Sequence, residues 1–351
     1  MIDINEVIEQ AVNKQATDIH LIPDSKPMYR IGTSLVKMEG GDVLRIEDMY
    51  QIYNYFNKGN VALDKKQPID TVYEFNGIDL GVNLSFANKQ PIYTMKILKN
   101  EIPQYEELGL PDILRKMAHQ TQGLILIAGN KKSGKTTTLN ALVRHINETQ
   151  NKKIITLEKT IEYNHVTRNS IIVQKEMGDF TTYAQGVKNA LKEDCDVLVV
   201  EDIRNKETME AVLEMIEDGH LVIAGINTKT CVDAIDKIIN FYDIKEQNQI
   251  RYELSTLLKI IVSQKLLLGS KGKCELLSEV IVVDSKIKDI IRKQKIDEIK
   301  NYQENGSVSL IDSLAKLYVE NKITLKQAKS LIEEKDIDIL NKTIMKMRIN
   351  N

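Results

Sequence analysis

Residues 129–136 read Gly129-Asn130-Lys131-Lys132-Ser133-Gly134-Lys135-Thr136, which satisfies the spacing G-x-x-x-x-G-K-[ST]. The octet follows an apolar run, LILIA at 124–128, and precedes a segment where Leu139, Leu142, Val143 and Ile146 recur at helical spacing. Strand, glycine-bearing turn and helix in that order leave few folds open. Glycines let backbone N–H groups curl around phosphate oxygens, the helix N-terminus adds partial positive charge, Lys135 reaches the outer phosphates, and the Thr136 hydroxyl suits Mg²⁺. Gly129, Lys132, Ser133, Gly134, Lys135, Thr136 and Thr137 are the nucleotide-contact candidates, with ATP and Mg²⁺ as the expected ligands.

Around this loop the chain alternates short apolar runs with helical patterns: IITL at 154–157, SIIVQ at 170–174, DVLVV at 196–200 and HLVIAGI at 220–226. These runs lack strict two-residue alternation, as strands covered on both faces should, so the expected class is α/β with a parallel sheet flanked by helices. A phosphate loop needs an acidic partner at the end of a neighbouring strand, and DVLVV runs into Glu201-Asp202. Glu201 is assigned as the water-activating carboxylate, since ligands of open α/β sheets bind at the carboxyl ends of strands.

Before residue 99 the texture differs. Ile2, Val7, Ile8, Ala11 and Val12 fall at helical spacing, while 18–22, 28–31, 68–86 and 92–98 read as extended, with Asn76-Gly77 as a hairpin signal. This predicts a small α+β domain over 1–98, a linker over 99–110 in which Pro103 and Gly109 stand among charges just before Pro111, and the α/β domain over 111–351, whose tail from about 246 reads as mainly helical. Two domains suit 351 residues. Lys plus Arg at 48 against Asp plus Glu at 50 gives 48 − 50 = −2, which argues against a nucleic-acid coat, as do few aromatics and no Trp. Cys195, Cys231 and Cys274 are far apart and read as small buried hydrophobes in a reducing compartment. The amino-terminal stretch lacks the basic start and apolar core of a signal peptide, and no apolar run approaches a membrane span.

Taken together, these stretches resemble the pilus-retraction (PilT-type, twitching-motility) ATPases of the type II/IV secretion superfamily. KNALKEDCDVLVVEDIRNKETMEAVLEMIEDGHLVIAGINT looks like the family's Walker B stretch, with its glutamate at Glu201 and the following arginine at Arg204, running into a His box whose first histidine falls on His220. TLEKTIEYNH is similar to the Asp box and keeps its glutamates as Glu158 and Glu162. QATDIHL with PMYRIG resembles a PAS-like domain, and GLPDILRKMAHQTQGLILIAG resembles the join between domains. Ser263–Leu266 and DSKIKDIIRKQKIDEI look like the retraction-type C-terminal helices. The resemblance implies a RecA-like P-loop ATPase core with an N-terminal PAS-like domain, a homohexamer with ATP between subunits, and force passed to an inner-membrane pilus platform protein. A second, pilus-extension ATPase is a further partner it implies. Residence in the cytoplasm at the pilus base follows, with membrane contact only through partners and no nucleic acid.

Several positions depart from the family. The Asp-box aspartate falls on Lys159, the second His-box histidine on Asn227, and the arginines that approach phosphates on Gly81, Lys89 and Lys96. Lysine is a hydrated point charge without arginine's planar fork of donors, so slow turnover is expected, with Lys96 the surviving cation of interest. A nucleotide-binding paralogue that hydrolyses little is the alternative these losses motivate, and a DNA-translocating ATPase shares the core. By the resemblance His220 and Glu158 take roles near the active site; Glu162 and Glu158 handle metal or water, against the reading of a solvated acidic face. Arg204 either pairs with a neighbouring carboxylate or reaches across a subunit interface. KIKDIIRKQKIDEIK is expected to pack Ile287, Ile290 and Ile291 on the core and leave its basic face in water.

Overall fold

The computed structural model describes residues 3–57, 69–76, 78–88, 90–98, 102–270, 272–302 and 304–350. Ile2, Gly77 and Lys89, named above, lie outside the described residues. Two compact units emerge, one over 1–101 with 271–274, the other over 102–270 with 275–351.

The first unit runs α1 (Ile4–Asn13), β1 (Asp18–Leu21), β2 (Met28–Ile31), β3 (Ser34–Lys37), α2 (Ile46–Asn57), β4 (Ile69–Phe75), β5 (Ile78–Ala87) and β6 (Gln90–Leu98). Its six strands form one antiparallel sheet in the order β3-β2-β1-β6-β5-β4. Asp3 caps α1 by accepting from the Asn5 N–H, and the helix buries Val7, Ile8 and Ala11 at the expected spacing. Helix α2 was not anticipated from sequence, although its signals are present: Asp48 accepts from the Arg45 amide at 2.8 Å, and Met49, Ile52 and Tyr53 are buried on one face.

The second unit continues with α3 (Asp112–Met117), β7 (Gly123–Ala128), α4 (Lys135–Thr149), β8 (Lys153–Glu158), β9 (Ile171–Glu176), α5 (Tyr183–Leu191), β10 (Val197–Val200), α6 (Lys206–Glu217), β11 (Leu221–Ile226), α7 (Cys231–Ile239), α8 (Gln247–Leu257), β12 (Leu258–Leu268), β13 (Cys274–Val282), α9 (Ser285–Arg292), α10 (Leu310–Val319), α11 (Leu325–Lys329) and α12 (Ile337–Asn350). Its seven-stranded sheet has the order β13-β12-β7-β11-β10-β8-β9, parallel from β12 through β9. Every residue of β7, β10 and β11 is buried, which is why their sequences are continuously apolar. One face is covered by Leu114 of α3 with Leu139, Leu142 and Ile146 of α4; the other by α5 to α9 through Val187, Met209, Val212, Ile235 and Ile291. Helices α10 to α12 close a smaller core around Leu314, Leu317 and Leu340.

The tail is less helical than its sequence suggested. Strands β12 and β13 extend the sheet, and Ser263–Leu266, read above as helical, lie inside β12. Polar residues in mid-strand, Ser263, Gln264 and Lys265, disguise it. The stretch beginning at Asp284 does form a helix: Asp284 caps α9 at the Lys286 and Ile287 amides, and Ile287, Ile290 and Ile291 are buried. Cys195 and Cys231 are buried, whereas Cys274 is half-buried. Among the described residues no helix is long and apolar enough to cross a membrane.

Candidate nucleotide site

The glycine-bearing turn leaves the carboxyl end of β7 and enters α4, at the edge of the sheet where parallel strands deliver their ligand contacts. Gly129 cannot carry a side chain: a Cβ there would stand 2.2 Å from Ser133 Oγ and 2.7 Å from the Gln264 carbonyl. Gly134 caps α4 at φ +92°, in the left-handed region that favours glycine. The first-turn N–H groups of α4 have no intrahelical acceptor, so they and the helix dipole favour an anion at this end. Lys135 Nζ donates to the carbonyls of Gly129 (2.6 Å) and Asn130 (2.9 Å). Burial pushes its ammonium below the usual lysine range, with Asp202 and Glu201 opposing the shift.

Gln264, buried in β12, braces the turn. Its Nε2 donates to the Ser133 carbonyl (2.9 Å) and its Oε1 accepts from Thr138 Oγ1 (3.0 Å). Asn140 holds the next turn of α4, donating from Nδ2 to the Thr136 carbonyl (2.9 Å) and accepting at Oδ1 from His165 Nε2 (2.7 Å). Burial lowers the His165 pKa to about 4, so the ring is neutral near pH 7.

Across the same edge, β10 ends at Val200 and Glu201 follows, two strands from β7. Glu201 Oε2 accepts from the Lys159 backbone N–H and from Tyr183 OH (3.2 Å), and Oε1 has no hydrogen-bond partner among the described residues. Gly225 of β11 makes this approach possible, because a Cβ there would lie 2.0 Å from the Glu201 carbonyl oxygen. Glu158 closes β8 at only 4% exposure, which removes the reading of a solvated acidic face. Its Oε1 accepts from Thr156 Oγ1 (2.7 Å) and Gln174 Nε2 (3.2 Å), while Oε2 is buried with no hydrogen-bond partner among the described residues. Burial raises the Glu158 pKa, and Glu201 and Glu162 add to the rise against those two hydrogen bonds. Thr136, Asn140, Glu158 and Glu201 line one small cavity of about 10 Å³, roughly the volume that admits one water.

The structure thus gathers Gly129, Ser133, Gly134, Lys135, Thr136, Glu158 and Glu201 at one edge. Lys132, at φ +64°, shapes the turn, and its side chain is exposed. Thr137 Oγ1 lies 3.2 Å from Tyr163 OH, and Glu162 is half-buried in the loop after β8, close enough to Glu158 to influence its charge. Lys159 touches Glu201 only through its backbone, so this contact does not depend on the aspartate that the family has there. Arg204 pairs with Asp202 within this chain (2.7 Å).

His220 is a correction. It precedes Leu221 at the amino end of β11, where its carbonyl accepts from the Gly123 amide, while the phosphate loop follows the carboxyl end of β7. Six strand residues at ~3.3 Å each separate the two edges by about 20 Å, so within this chain His220 is not part of the site. Asn227, at the other end of β11, is exposed and accepts from Lys237 Nζ at its carbonyl (3.1 Å). Lys96 and Gly81 lie in the first unit, in register with each other on β6 and β5.

Sequence reading missed Gln264, Gly225, Tyr183, Asn140 and His165. Only Gln264 left a local signal, a polar residue inside an apolar run.

Comparison with known proteins gives this site its family. The model of the type II/IV secretion system protein family matches residues 92–348. A twitching motility protein of Neisseria gonorrhoeae is 33% identical over 230 residues, covering 65% of this chain and 62% of that protein. The type IV pilus retraction ATPase PilT of Pseudomonas aeruginosa is 26% identical over 312 residues, covering 88% and 91%. Among solved structures, that of the pilus retraction motor PilT with bound ADP superposes with a TM-score of 0.77 at 30% identity, covering 96% of this chain and 99% of that one. The chain therefore belongs to the type II/IV secretion system protein family, a family of ATPases, and its second unit has the RecA-like fold.

Proposed function

We propose that the protein is a motor ATPase of a type IV pilus machine, and that it drives retraction or disassembly of the filament as a homohexamer. The observation that carries the hydrolytic part is Glu201: it lines a water-sized cavity with Thr136, with one carboxylate oxygen anchored and the other without a hydrogen-bond partner among the described residues. A carboxylate so placed accepts a proton from a water attacking the terminal phosphorus, a contribution of roughly 10²–10⁴ in rate. Lys135 neutralises charge on the outer phosphates, and the loop amides orient them. Tyr183 and the Lys159 amide are positioning groups, holding Glu201 rather than touching substrate.

The residues also suit Mg²⁺. The Thr136 hydroxyl, in the first turn of α4, shares a cavity with the buried Glu158 Oε2, which has no hydrogen-bond partner among the described residues; hydroxyl and carboxylate oxygens are the donor chemistry of a hard cation, and Glu162 is near enough to Glu158 to add to the negative field there. When bound, Mg²⁺ supplies charge neutralisation on the phosphate oxygens. The retraction assignment, the hexamer, the inner-membrane platform protein as the load and the cytoplasmic face of the membrane as the place rest on the relatives' descriptions and on resemblance. A second reading, a nucleotide-binding accessory ring with little turnover, is favoured by the glycine and lysine at positions 81 and 96.

Phosphate release by a mass-verified assembly with Mg²⁺-ATP tests the motor reading. Turnover above a Lys135→Ala control supports it. Release no greater than that control, with the platform protein present, leaves the accessory ring.

A further inference from the structure

Away from the nucleotide edge, α6 and α8 enclose a groove of about 220 Å³ walled by carboxylates. Glu210, Glu214 and Glu217 recur along one face of α6, and Glu246, at the head of α8, and Glu253, two turns on, face them. One end is already filled by a cation. Lys206 Nζ donates to both oxygens of Glu246 (2.8 and 2.7 Å), lies 3.8 Å from Glu210 and sits 5.1 Å over the Tyr242 ring. At the other end Glu214, Glu217 and Glu253 have no ion pair among the described residues, and Glu253 is met only by Gln249 Nε2 (2.7 Å).

Tyr242 supplies the second, independent observation. It lines the groove at 6% exposure, and its hydroxyl is buried with no hydrogen-bond partner among the described residues. Burial, and then the facing carboxylates Glu210, Glu253 and Glu246, raise its pKa, which places those charges around the hydroxyl. A buried hydroxyl without a partner is unusual in a folded chain and calls for a water, ion or ligand atom to complete its set. Five carboxylates against one ammonium, flanked by an aromatic face, suit further ammonium or guanidinium groups.

We propose that this groove is a docking site for a lysine- and arginine-bearing segment of a partner protein, which adds a cation beside Glu214, Glu217 and Glu253 as Glu246 already holds Lys206. Attraction of this kind steers association and weakens with salt. The site is separate from the phosphate loop, so it stands or falls without the motor reading.

Fluorescence anisotropy of a labelled lysine-rich helical peptide, titrated with the intact chain, tests it. The expected result is binding that weakens with salt, falls by about tenfold or more in Glu214→Gln/Glu217→Gln/Glu253→Gln, and falls less in Tyr242→Phe, while melting temperature and nucleotide affinity stay at wild-type values. The proposal is overturned if the triple variant binds as tightly as wild type, or if a charge-matched control (Glu333→Gln/Glu334→Gln/Asp338→Asn) loses as much. Saturation of the groove by Ca²⁺ or spermidine without peptide binding also overturns it. So does loss of self-association in the triple variant, which would make the occupant a second copy of this chain.

Discussion

The two sides of the nucleotide edge are built differently. The phosphate side is one continuous stretch, Gly129 to Thr138, in which the glycines, the helix start and Lys135 are neighbours in sequence. The acidic side is assembled from four strands' worth of chain. Glu201 depends on a backbone N–H from residue 159, a hydroxyl from residue 183 and the missing side chain at residue 225. Glu158 depends on residues 156 and 174. Gripping a phosphate needs only local geometry, whereas aiming a carboxylate at it needs the whole sheet in register. Damage to the acidic side should therefore spare binding and cost turnover, and damage to the phosphate side should do the reverse.

Gly225→Ala makes the largest break in that contrast. The added Cβ meets the Glu201 carbonyl oxygen, so one strand must shift. Overpacking of this kind costs about 1–3 kcal/mol, and displacing Glu201 by about 1 Å should lower turnover on the order of 100-fold. Denaturant melts and steady-state kinetics read the two effects, with nucleotide affinity nearly unchanged. Gln264→Ala tests the phosphate side. It leaves the Ser133 carbonyl and Thr138 hydroxyl short of a partner, at a cost of about 2–3 kcal/mol in stability, and equilibrium titration should show weaker nucleotide binding. A variant with full affinity would show that the turn holds itself.

A smaller effect separates Glu158 from Glu201. Burial makes the folded chain bind the Glu158 proton more tightly than the unfolded chain does. Its contribution to stability is therefore complete below the ordinary glutamate pKa of about 4.3 and is lost as pH rises through the raised folded value. Glu158→Gln never ionises, so its melting temperature should gain on wild type as pH increases from acid toward neutral. Parallel curves would mean that the carboxyl is not held in its protonated form. Smallest of all, if the arginines of the family that this chain resembles do approach phosphates, Gly81→Arg should raise turnover a few-fold, because a guanidinium offers the bidentate donors that glycine lacks. On β5 the nearest atom to the new Cβ is the Lys96 Cβ at 3.8 Å, an ordinary van der Waals contact, so the Cβ itself is accommodated. Unchanged turnover would assign the work to another cation.

The same contrast explains what the amino-acid sequence revealed. The phosphate loop and the position of Glu201 after β10 were readable because each is a short pattern of residue types, and the continuously apolar runs announced the parallel sheet. β12 was hidden because its polar residues serve other elements: Gln264 braces the loop, and Ser263 Oγ donates to the Lys229 carbonyl at 2.8 Å. His220 was misplaced because a motif gives spacing along the chain but not which end of a strand faces the ligand. Gly225 had no readable role, since its need arises from a contact with residue 201 that exists only once β10 and β11 pair.

The central claim is that Glu201 acts on the water and not on the grip of the nucleotide. Its most direct measurement is the identity of the nucleotide retained by the Glu201→Gln protein after incubation with Mg²⁺-ATP, resolved by chromatography beside wild type. The account predicts wild-type occupancy, with ATP retained in the variant and ADP in the wild type. Recovery of ADP from the variant at the wild-type rate would contradict it.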